Sequence, residues 1–128
     1  MSTVRVGLVA FAAVYLALAL LMAFAPHAFH EDIGPYGGQN DHYLRDLATC
    51  YAAFAGALAV ACWRESWRVP VLSCLALQSG LHAINHLVDI GAAHPYWLGP
   101  ANFVSIALAT IALAWLARAA KQPLEVQP

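Results

Sequence analysis

Four long runs of apolar residues, separated by short polar segments, make up most of this chain. They cover residues 4–25, 43–63, 69–90 and 101–119. Each run is close to the roughly 20 residues that a helix needs to cross a bilayer. The segments between the runs are short, which favours antiparallel packing of neighbouring helices. The pattern therefore predicts an all-α membrane protein, a single domain whose four transmembrane helices form an up-down-up-down bundle.

The composition agrees with this fold and excludes several other classes of protein. Of the 128 residues, 62% are apolar and only 10% are charged, and the mean hydropathy is +0.64. Soluble domains contain about 45–50% apolar and about 25% charged residues, and a soluble chain this short cannot bury so much apolar surface. The net charge of −1 and the three cysteines without CxxC spacing indicate neither a nucleic-acid partner nor a disulfide scaffold. We expect membrane lipids as partners instead.

The distribution of lysine and arginine predicts the orientation of the bundle. Five of the six basic residues lie on one side if both termini share that side, whereas the opposite loops contain acidic residues and no Lys or Arg. By the positive-inside rule, both termini are then cytoplasmic. The basic residues on the cytoplasmic side are Arg5, Arg64, Arg68, Arg118 and Lys121.

Polar residues inside the spans are concentrated in the second and third of them. The first and fourth spans are almost entirely apolar. Their small residues permit close packing within the bundle or between copies of the chain, which is compatible with a homo-oligomer. The polar residues of the third span fall within an arc of about 100° on one face, and they are Gln78, His82, Asn85, His86 and Asp89. The second span begins with four polar residues on one face, which are His42, Arg45, Asp46 and Thr49.

These two polar faces lie at the same height, near the outer ends of their helices. Ionisable residues within a span are costly, usually face the interior of the bundle, and mark function. We therefore expect the two faces to meet in one outer-leaflet site between the second and third spans.

The first interpretation of this site is a transition-metal centre. His82 and His86 are four residues apart, which places two imidazoles on one side of a helical turn. His42 from the second span and Asp89 would complete a ligand set suited to Fe, Cu or Zn, with a position left for water or substrate.

The candidate catalytic residues of such a centre are Arg45 and Asp46. Arg45 would hold a carboxylate or another anionic group of the substrate, and Asp46 would bind the metal or orient an imidazole. The function predicted is a metal-dependent membrane oxidoreductase acting on a lipophilic or quinone-like small molecule. An ion pathway across the membrane is not expected, because no polar residue continues the site below Gln78.

Two further interpretations of the same residues remain open. A histidine of the second span opposite one of the third could bind haem. Alternatively, the residues form a metal-free network in which Arg45 pairs with Asp89 and fixes the register of the helices. In that case the protein is a non-catalytic accessory subunit or a small binding protein.

The loops on the outer side contain further candidate ligands. The segment 26–42 has about 17 residues, more than a connection between two helices needs. His27, His30 and Glu31 in this segment, and His94 in the second loop, could join the site. Solvated residues at the membrane interface are the simpler interpretation of all four.

Several of these residues also form a motif. The motif comprises Gly34-Pro35-Tyr36, Asn40-Asp41-His42, Arg45-Asp46 and His82-x-x-x-His86. It resembles a bacterial family of small four-helix membrane proteins, loosely called DoxX-like, with GPYN-[DE]-H-x-x-RD at the second helix and HxxxH in the third. The likeness covers roughly residues 20–95, and here Gly37-Gly38-Gln39 separates the tyrosine from the asparagine.

The resemblance to the DoxX-like family implies the four-helix architecture and a multi-pass location in a bacterial inner membrane. It picks out His42, Arg45, Asp46, His82 and His86 as site residues. It implies no particular reaction, although the link of DoxX itself to quinone-coupled oxidation favours a redox function.

Overall fold

The computed structural model describes residues 2–121, which form four long helices and one short one. The helices are α1 (Thr3–Phe24), α2 (Pro26–Asp32), α3 (Asp41–Trp63), α4 (Glu65–Val88) and α5 (Leu98–Ala119). No β-strand occurs among residues 2–121. The four long helices are long and apolar enough to cross a membrane. The prediction of an all-α chain with four such helices is confirmed.

The short helix α2 lies in a segment for which the sequence predicted only a loop. It begins with Pro26, whose fixed φ angle suits the first turn of a helix. The following loop includes Gly37 at φ +64°, a conformation that favours glycine. The loop ends at Asn40, whose side chain accepts hydrogen bonds from the backbone N–H groups of His42 and Tyr43 at 3.1 and 3.2 Å. These two bonds satisfy donors that would otherwise be free at the start of α3.

The long helices associate as two pairs, α1 with α3 and α4 with α5. Contacts between α3 and α4 are fewer and join the two pairs, whereas α1 and α5 touch only slightly. Each long helix contributes at least one fully buried leucine to the core, namely Leu8, Leu58, Leu72 and Leu113. The exterior is also apolar, with large exposed side chains along all four helices. Such an exterior is expected where hydrocarbon is the solvent.

An aromatic cluster lies in the middle of the core. The ring of Tyr15 on α1 packs against Tyr51 and Phe54 on α3, with centroids 5.3 and 5.6 Å apart. The Tyr15 hydroxyl lies 3.4 Å from the hydroxyl of Ser79 on α4. This contact connects the two helix pairs at mid-depth and gives both hydroxyls a partner, as buried polar groups require.

The α4–α5 pair depends on a close approach of two backbones. Gly99 in the first turn of α5 lies against Ile90, and a Cβ atom at this position would overlap the carbonyl oxygen of Ile90. Only glycine fits this contact, which fixes the start of α5 against the end of α4.

At the opposite end of the bundle, arginines bind the last carbonyls of α3. The Nε and Nη2 atoms of Arg5 donate to the carbonyl oxygen of Cys62 at 3.3 and 3.2 Å. Arg68 donates through Nε to the carbonyl oxygen of Ala61 at 3.3 Å and pairs with Glu65 at 2.6 Å. These bonds satisfy acceptors that a helix terminus leaves free. Arg5 and Arg68 therefore have a structural role beyond the topological one that the sequence indicated.

Candidate functional site

Two histidines on α4 form the centre of the candidate site. The Nε2 atoms of His82 and His86 lie 3.0 Å apart, and the ring centroids are separated by 4.7 Å. Both side chains are half-buried. Two nitrogens at this distance either share a proton, one donating and the other accepting, or both face a bound cation. The predicted proximity of these two histidines is therefore present in the structure.

Tyr36 holds the outer histidine of this pair. Its hydroxyl lies 3.0 Å from Nδ1 of His86, and the edge of one ring meets the face of the other, with centroids 5.0 Å apart. Both ring nitrogens of His86 are thus engaged, one by Tyr36 and one by His82. An imidazole held at both nitrogens has a fixed orientation and a defined partner for each proton.

Asn102 on α5 fixes the loop that contains Tyr36. Its side-chain amide donates to the carbonyl oxygen of Ile33 at 2.7 Å and to the Tyr36 hydroxyl at 3.5 Å. The result is a continuous chain of polar contacts from α5 through the loop to α4. We name this group the histidine–tyrosine cluster, and its members are His82, His86, Tyr36 and Asn102.

The polar start of α3 does not take part in the histidine–tyrosine cluster. Nε2 of His42 lies 3.5 Å from the Asp46 carboxylate, and Nη2 of Arg45 lies 3.6 Å from the Asp41 carboxylate. Both pairs join residues four apart on α3 itself, and all four side chains are largely exposed to solvent or lipid. Within residues 2–121, the structure records no ion pair or hydrogen bond from His42, Arg45 or Asp46 to α4.

The packing of α3 explains why the two polar faces stay apart. α3 packs mainly along α1, and Arg45 and Thr49 border a shallow groove between these two helices. The polar face at the start of α3 therefore lies beside α1 and not beside the histidines of α4. A helical wheel shows that these residues share one face of α3, but it does not show which helix packs against that face.

Asp89 makes no recorded hydrogen bond or ion pair with the histidine pair among residues 2–121. It is the residue at which α4 ends, with φ −98° and ψ 21°, and its side chain is exposed. The 3.6-residue periodicity that predicted Asp89 on the histidine face stops at this position, because its backbone has left the helical conformation.

The predicted metal ligands therefore do not form a complete set. In the described part of the chain, no group of three or more His, Cys, Asp or Glu side chains is placed to hold a metal ion. His82 and His86 alone fit two positions of a metal, whereas His42 and Asp89 do not join them. The bis-histidine arrangement proposed for haem likewise requires a second-span histidine that the structure places elsewhere.

Residues of α2 and of the loops at this end of the bundle form a second polar group beside the cluster. Nδ1 of His27 donates to the side-chain carbonyl of Gln39 at 2.8 Å, and its Nε2 lies 3.3 Å from the Glu31 carboxylate. The hydrogen bond to Gln39 and the charge of Glu31 raise the pKa of His27 above its ordinary value of 6.5. An open cavity of about 770 Å³ is bordered by the candidate loop ligands together with Pro35, Gly37 and Ala92. These candidate ligands are His27, His30, Glu31 and His94.

Two residues of the cluster were not selected by the sequence as members of a site. Tyr36 belongs only to the Gly34-Pro35-Tyr36 motif, and Asn102 lies in the fourth span, whose composition predicts no more than close helix packing. A signal existed for both: Tyr36 lies in a loop longer than its connection needs, and Asn102 is a single amide in an almost entirely apolar helix.

No family model, curated protein or solved structure matches this chain. The resemblance to DoxX-like proteins therefore stays a prediction from the motif residues. The protein is helical, and its four long helices are those of a multi-pass membrane protein. Its polar cluster joins α4, α5 and the loop before α3.

Proposed function

We propose that this protein is a membrane enzyme that binds a lipophilic, quinone-like molecule at the histidine–tyrosine cluster and exchanges protons with its polar head. The observation that carries the proposal is the contact sequence from Tyr36 to His86 to His82, with two successive separations of 3.0 Å. Polar residues in a membrane span are energetically costly, and a set of them in mutual contact at one height favours a functional role.

The chemistry proposed for the cluster is acid–base exchange. An imidazole gains and loses a proton near neutral pH, and it can accept at one nitrogen while donating at the other. His86 is engaged at both nitrogens, so a His86 protonated at both can replace a proton that His82 gives to the ligand and itself become neutral, its Nδ1–H still bonded to Tyr36. Among residues 2–121, His82 makes its recorded bond only through Nε2, which leaves Nδ1 for a hydroxyl or carbonyl oxygen of the ligand.

The surroundings of the cluster support a ligand that arrives from the membrane. His82 is only half-buried, and Leu81, the residue before it on α4, is exposed by 61% and would face lipid. A molecule dissolved in the hydrocarbon can therefore approach the half-buried imidazole laterally. The orientation belongs to the same proposal: both termini cytoplasmic, the cluster towards the outer leaflet, in a bacterial inner membrane.

A second candidate function is the metal-dependent oxidoreductase. It is favoured by the convergence of two Nε2 atoms at 3.0 Å, with Nδ1 of His86 held by the Tyr36 hydroxyl. Histidine ligands of metals commonly have the second ring nitrogen fixed in this way. Bound Fe, Cu or Zn would supply Lewis-acid or redox chemistry, with His82 and His86 as ligands and water or substrate in the other positions. Neither the proposed acid–base site nor the proposed metal site includes Arg45 or Asp46.

Binding of decylubiquinone to the purified protein in lipid nanodiscs tests the proposal. We expect His82→Ala and His86→Ala to weaken binding about tenfold or more, as the loss of a hydrogen bond to a buried polar partner implies. His42→Ala is the matched control, because it removes an exposed histidine near the same end of the bundle. Equal binding by all four proteins, with helicity unchanged by circular dichroism, would contradict the proposal and favour an accessory subunit.

Elemental analysis of untagged protein separates the two candidates. Stoichiometric Fe, Cu or Zn that is lost in His82→Ala and retained in His42→Ala establishes the metal centre. Quinone binding without stoichiometric metal establishes the acid–base site.

A further inference from the structure

A groove runs along the outside of the α1–α3 pair, starting at the end of the bundle that contains Arg5. Its volume is about 820 Å³ and its walls are almost entirely apolar. Small residues on both helices form its floor, since their short side chains leave space between the larger ones. The residues that define it are Arg5, Val9, Ala13, Leu16, Ala52 and Gly56. We name it the Arg5 groove.

The length of the Arg5 groove matches one leaflet of a bilayer. From Arg5 to Leu16 the chain advances 11 residues along α1, which at 1.5 Å per residue is about 16 Å. The hydrocarbon core of a bilayer is about 30 Å thick, so one leaflet contributes about 15 Å. The groove therefore extends from the membrane surface to the midplane, the depth reached by a single acyl chain.

A positive charge lies at the surface end of this groove. Arg5 uses Nε and Nη2 to bind the carbonyl oxygen of Cys62, an uncharged group. Among the ion pairs of residues 2–121, none involves Arg5. Within residues 2–121 its charge therefore has no carboxylate partner, and no Asp or Glu of this part of the chain lines the groove.

The same pair of helices provides a natural comparison at its other end. A smaller groove of about 300 Å³ continues from Leu16 and Ala52 to Arg45. There the guanidinium lies 3.6 Å from the Asp41 carboxylate. The two grooves thus end on the same residue type, but among the described residues only the arginine of the smaller groove has a carboxylate partner.

We propose that the Arg5 groove binds one anionic phospholipid, with an acyl chain along α1 and α3 and the phosphate at the Arg5 guanidinium. Basic pockets at the membrane surface recognise anionic head groups, and each Lys or Arg near the surface contributes to this attraction. A second copy of the chain fits the groove less well. A two-fold interface along this face would bring two Arg5 side chains to the same depth with no acidic residue between them.

The test compares two lipids with identical chains, dioleoylphosphatidylglycerol and dioleoylphosphatidylcholine. Each is titrated into the protein in neutral detergent, and bound lipid is counted by native mass spectrometry. We expect the anionic lipid to bind about fivefold more tightly, the effect of one basic residue near the surface. Arg5→Gln should remove this preference, whereas the matched control Arg45→Gln should retain it.

A second pair of variants tests the groove without touching the arginine or its bonds to α3. A Cβ atom on Gly56 would meet no other atom within 4 Å, so Gly56→Leu fills the groove without a clash at its first carbon. We expect Gly56→Leu to reduce binding of both lipids, and Ala53→Leu, at an exposed position outside the groove lining, to leave it unchanged. The number of protein copies in the protein–detergent complex, measured from its mass, should be the same for Gly56→Leu and the native protein.

Three results would overturn the assignment of an anionic lipid to the Arg5 groove. The first is equal affinity of the native protein for the two lipids. The second is loss of the preference in Arg45→Gln but not in Arg5→Gln. The third is a native dimer that Gly56→Leu converts to a monomer, which would make the groove an interface between copies. None of these results bears on quinone binding at His82, so the two proposals succeed or fail separately.

Discussion

The polar start of α3 and the polar end of α4 carry similar residues at a similar depth, yet the fold uses them in different ways. At the start of α3, His42 and Arg45 pair with carboxylates on their own helix and stay exposed. At the end of α4, His82 and His86 are half-buried, and His86 contacts Tyr36 from another element. The second arrangement joins three parts of the chain through the histidines themselves. In the first, His42 and Arg45 pair only within α3, and the connection to another element runs from Asp41 through Gln39 to His27.

The difference originates in what each helix packs against. α3 lies along α1, which is apolar over the same depth and has no polar partner for Arg45. α4 lies along α5, whose Asn102 binds the loop and so holds Tyr36 over His86. A polar stripe on a membrane helix becomes a site only where the neighbouring element supplies a partner at the same height.

The largest expected effect concerns the contact that holds α5 against α4. Gly99→Ala places a Cβ on the carbonyl oxygen of Ile90, and the two backbones must separate. We expect a loss of about 3 kcal/mol or more in the free energy of unfolding, the range for severe overpacking. Denaturant unfolding in detergent micelles, followed by circular dichroism, measures it.

The control for Gly99→Ala lies on the other helix pair. Gly56 on α3 has open space where a Cβ would stand, so Gly56→Ala should leave stability unchanged or raise it by up to about 1 kcal/mol. A Gly99→Ala protein as stable as Gly56→Ala would show that α5 does not depend on this contact, and the α4–α5 pair would then be no tighter at its end than α1–α3.

The second prediction removes one atom from the histidine–tyrosine cluster. Tyr36→Phe deletes the hydroxyl that contacts both His86 and Asn102. We expect a loss of about 1–2 kcal/mol in the free energy of unfolding, because two polar groups lose a partner in a half-buried setting. Tyr43→Phe, at an exposed tyrosine near the start of α3, is the matched control and should cost less than about 0.5 kcal/mol. Equal losses in the two variants would remove the energetic distinction between the regions.

The outcome for each region shows what a sequence can predict in a protein of this kind. The four long helices follow from run length and composition. A helical wheel also places His82 and His86 on one face. These properties are local, because they depend on residues within one helix.

The partner of each polar face could not be predicted in the same way. Arg45 and Asp89 were expected to approach one another, but a residue four positions away on the same helix already satisfies Arg45. Tyr36 lies 46 residues before His82, and only the folded loop brings it to the histidines. Pairing between elements depends on how helices rotate and pack, which run length and periodicity do not specify.

A third, smaller effect concerns the pairs on α3. Asp46→Asn and Asp41→Asn remove the charges that face His42 and Arg45. Because these pairs are exposed and lie within one helix, we expect each change to cost no more than about 0.5 kcal/mol. The same unfolding assay, run at 20 mM and 500 mM salt, should show that the small difference disappears at high salt. A loss in the free energy of unfolding as large as that of Tyr36→Phe would contradict the distinction between the two polar regions. His42 and Arg45 would then again be candidates for the functional site.

The smallest expected effect involves His27, which connects α2 to the start of α3 through Gln39. The pKa of His27 is raised because Gln39 accepts a hydrogen bond from the ring and Glu31 lies beside it. Folding therefore favours protonated His27. Its contribution to stability is complete below the ordinary pKa of 6.5 and disappears as the pH rises through the raised value.

Histidine NMR titration measures the pKa of His27 directly. Gln39→Ala should lower it towards 6.5, and Gln39→Glu, which places a charge at the same position, should raise it further. Because His27 is fully exposed, only a small change in stability should accompany either shift. An unchanged pKa in both variants would mean that the Gln39 contact does not persist in solution, and the start of α3 would then have no polar connection to α2 through His27. The two polar regions would in that case differ still more, one tied to its neighbours through Tyr36 and Asn102 and the other paired only within α3.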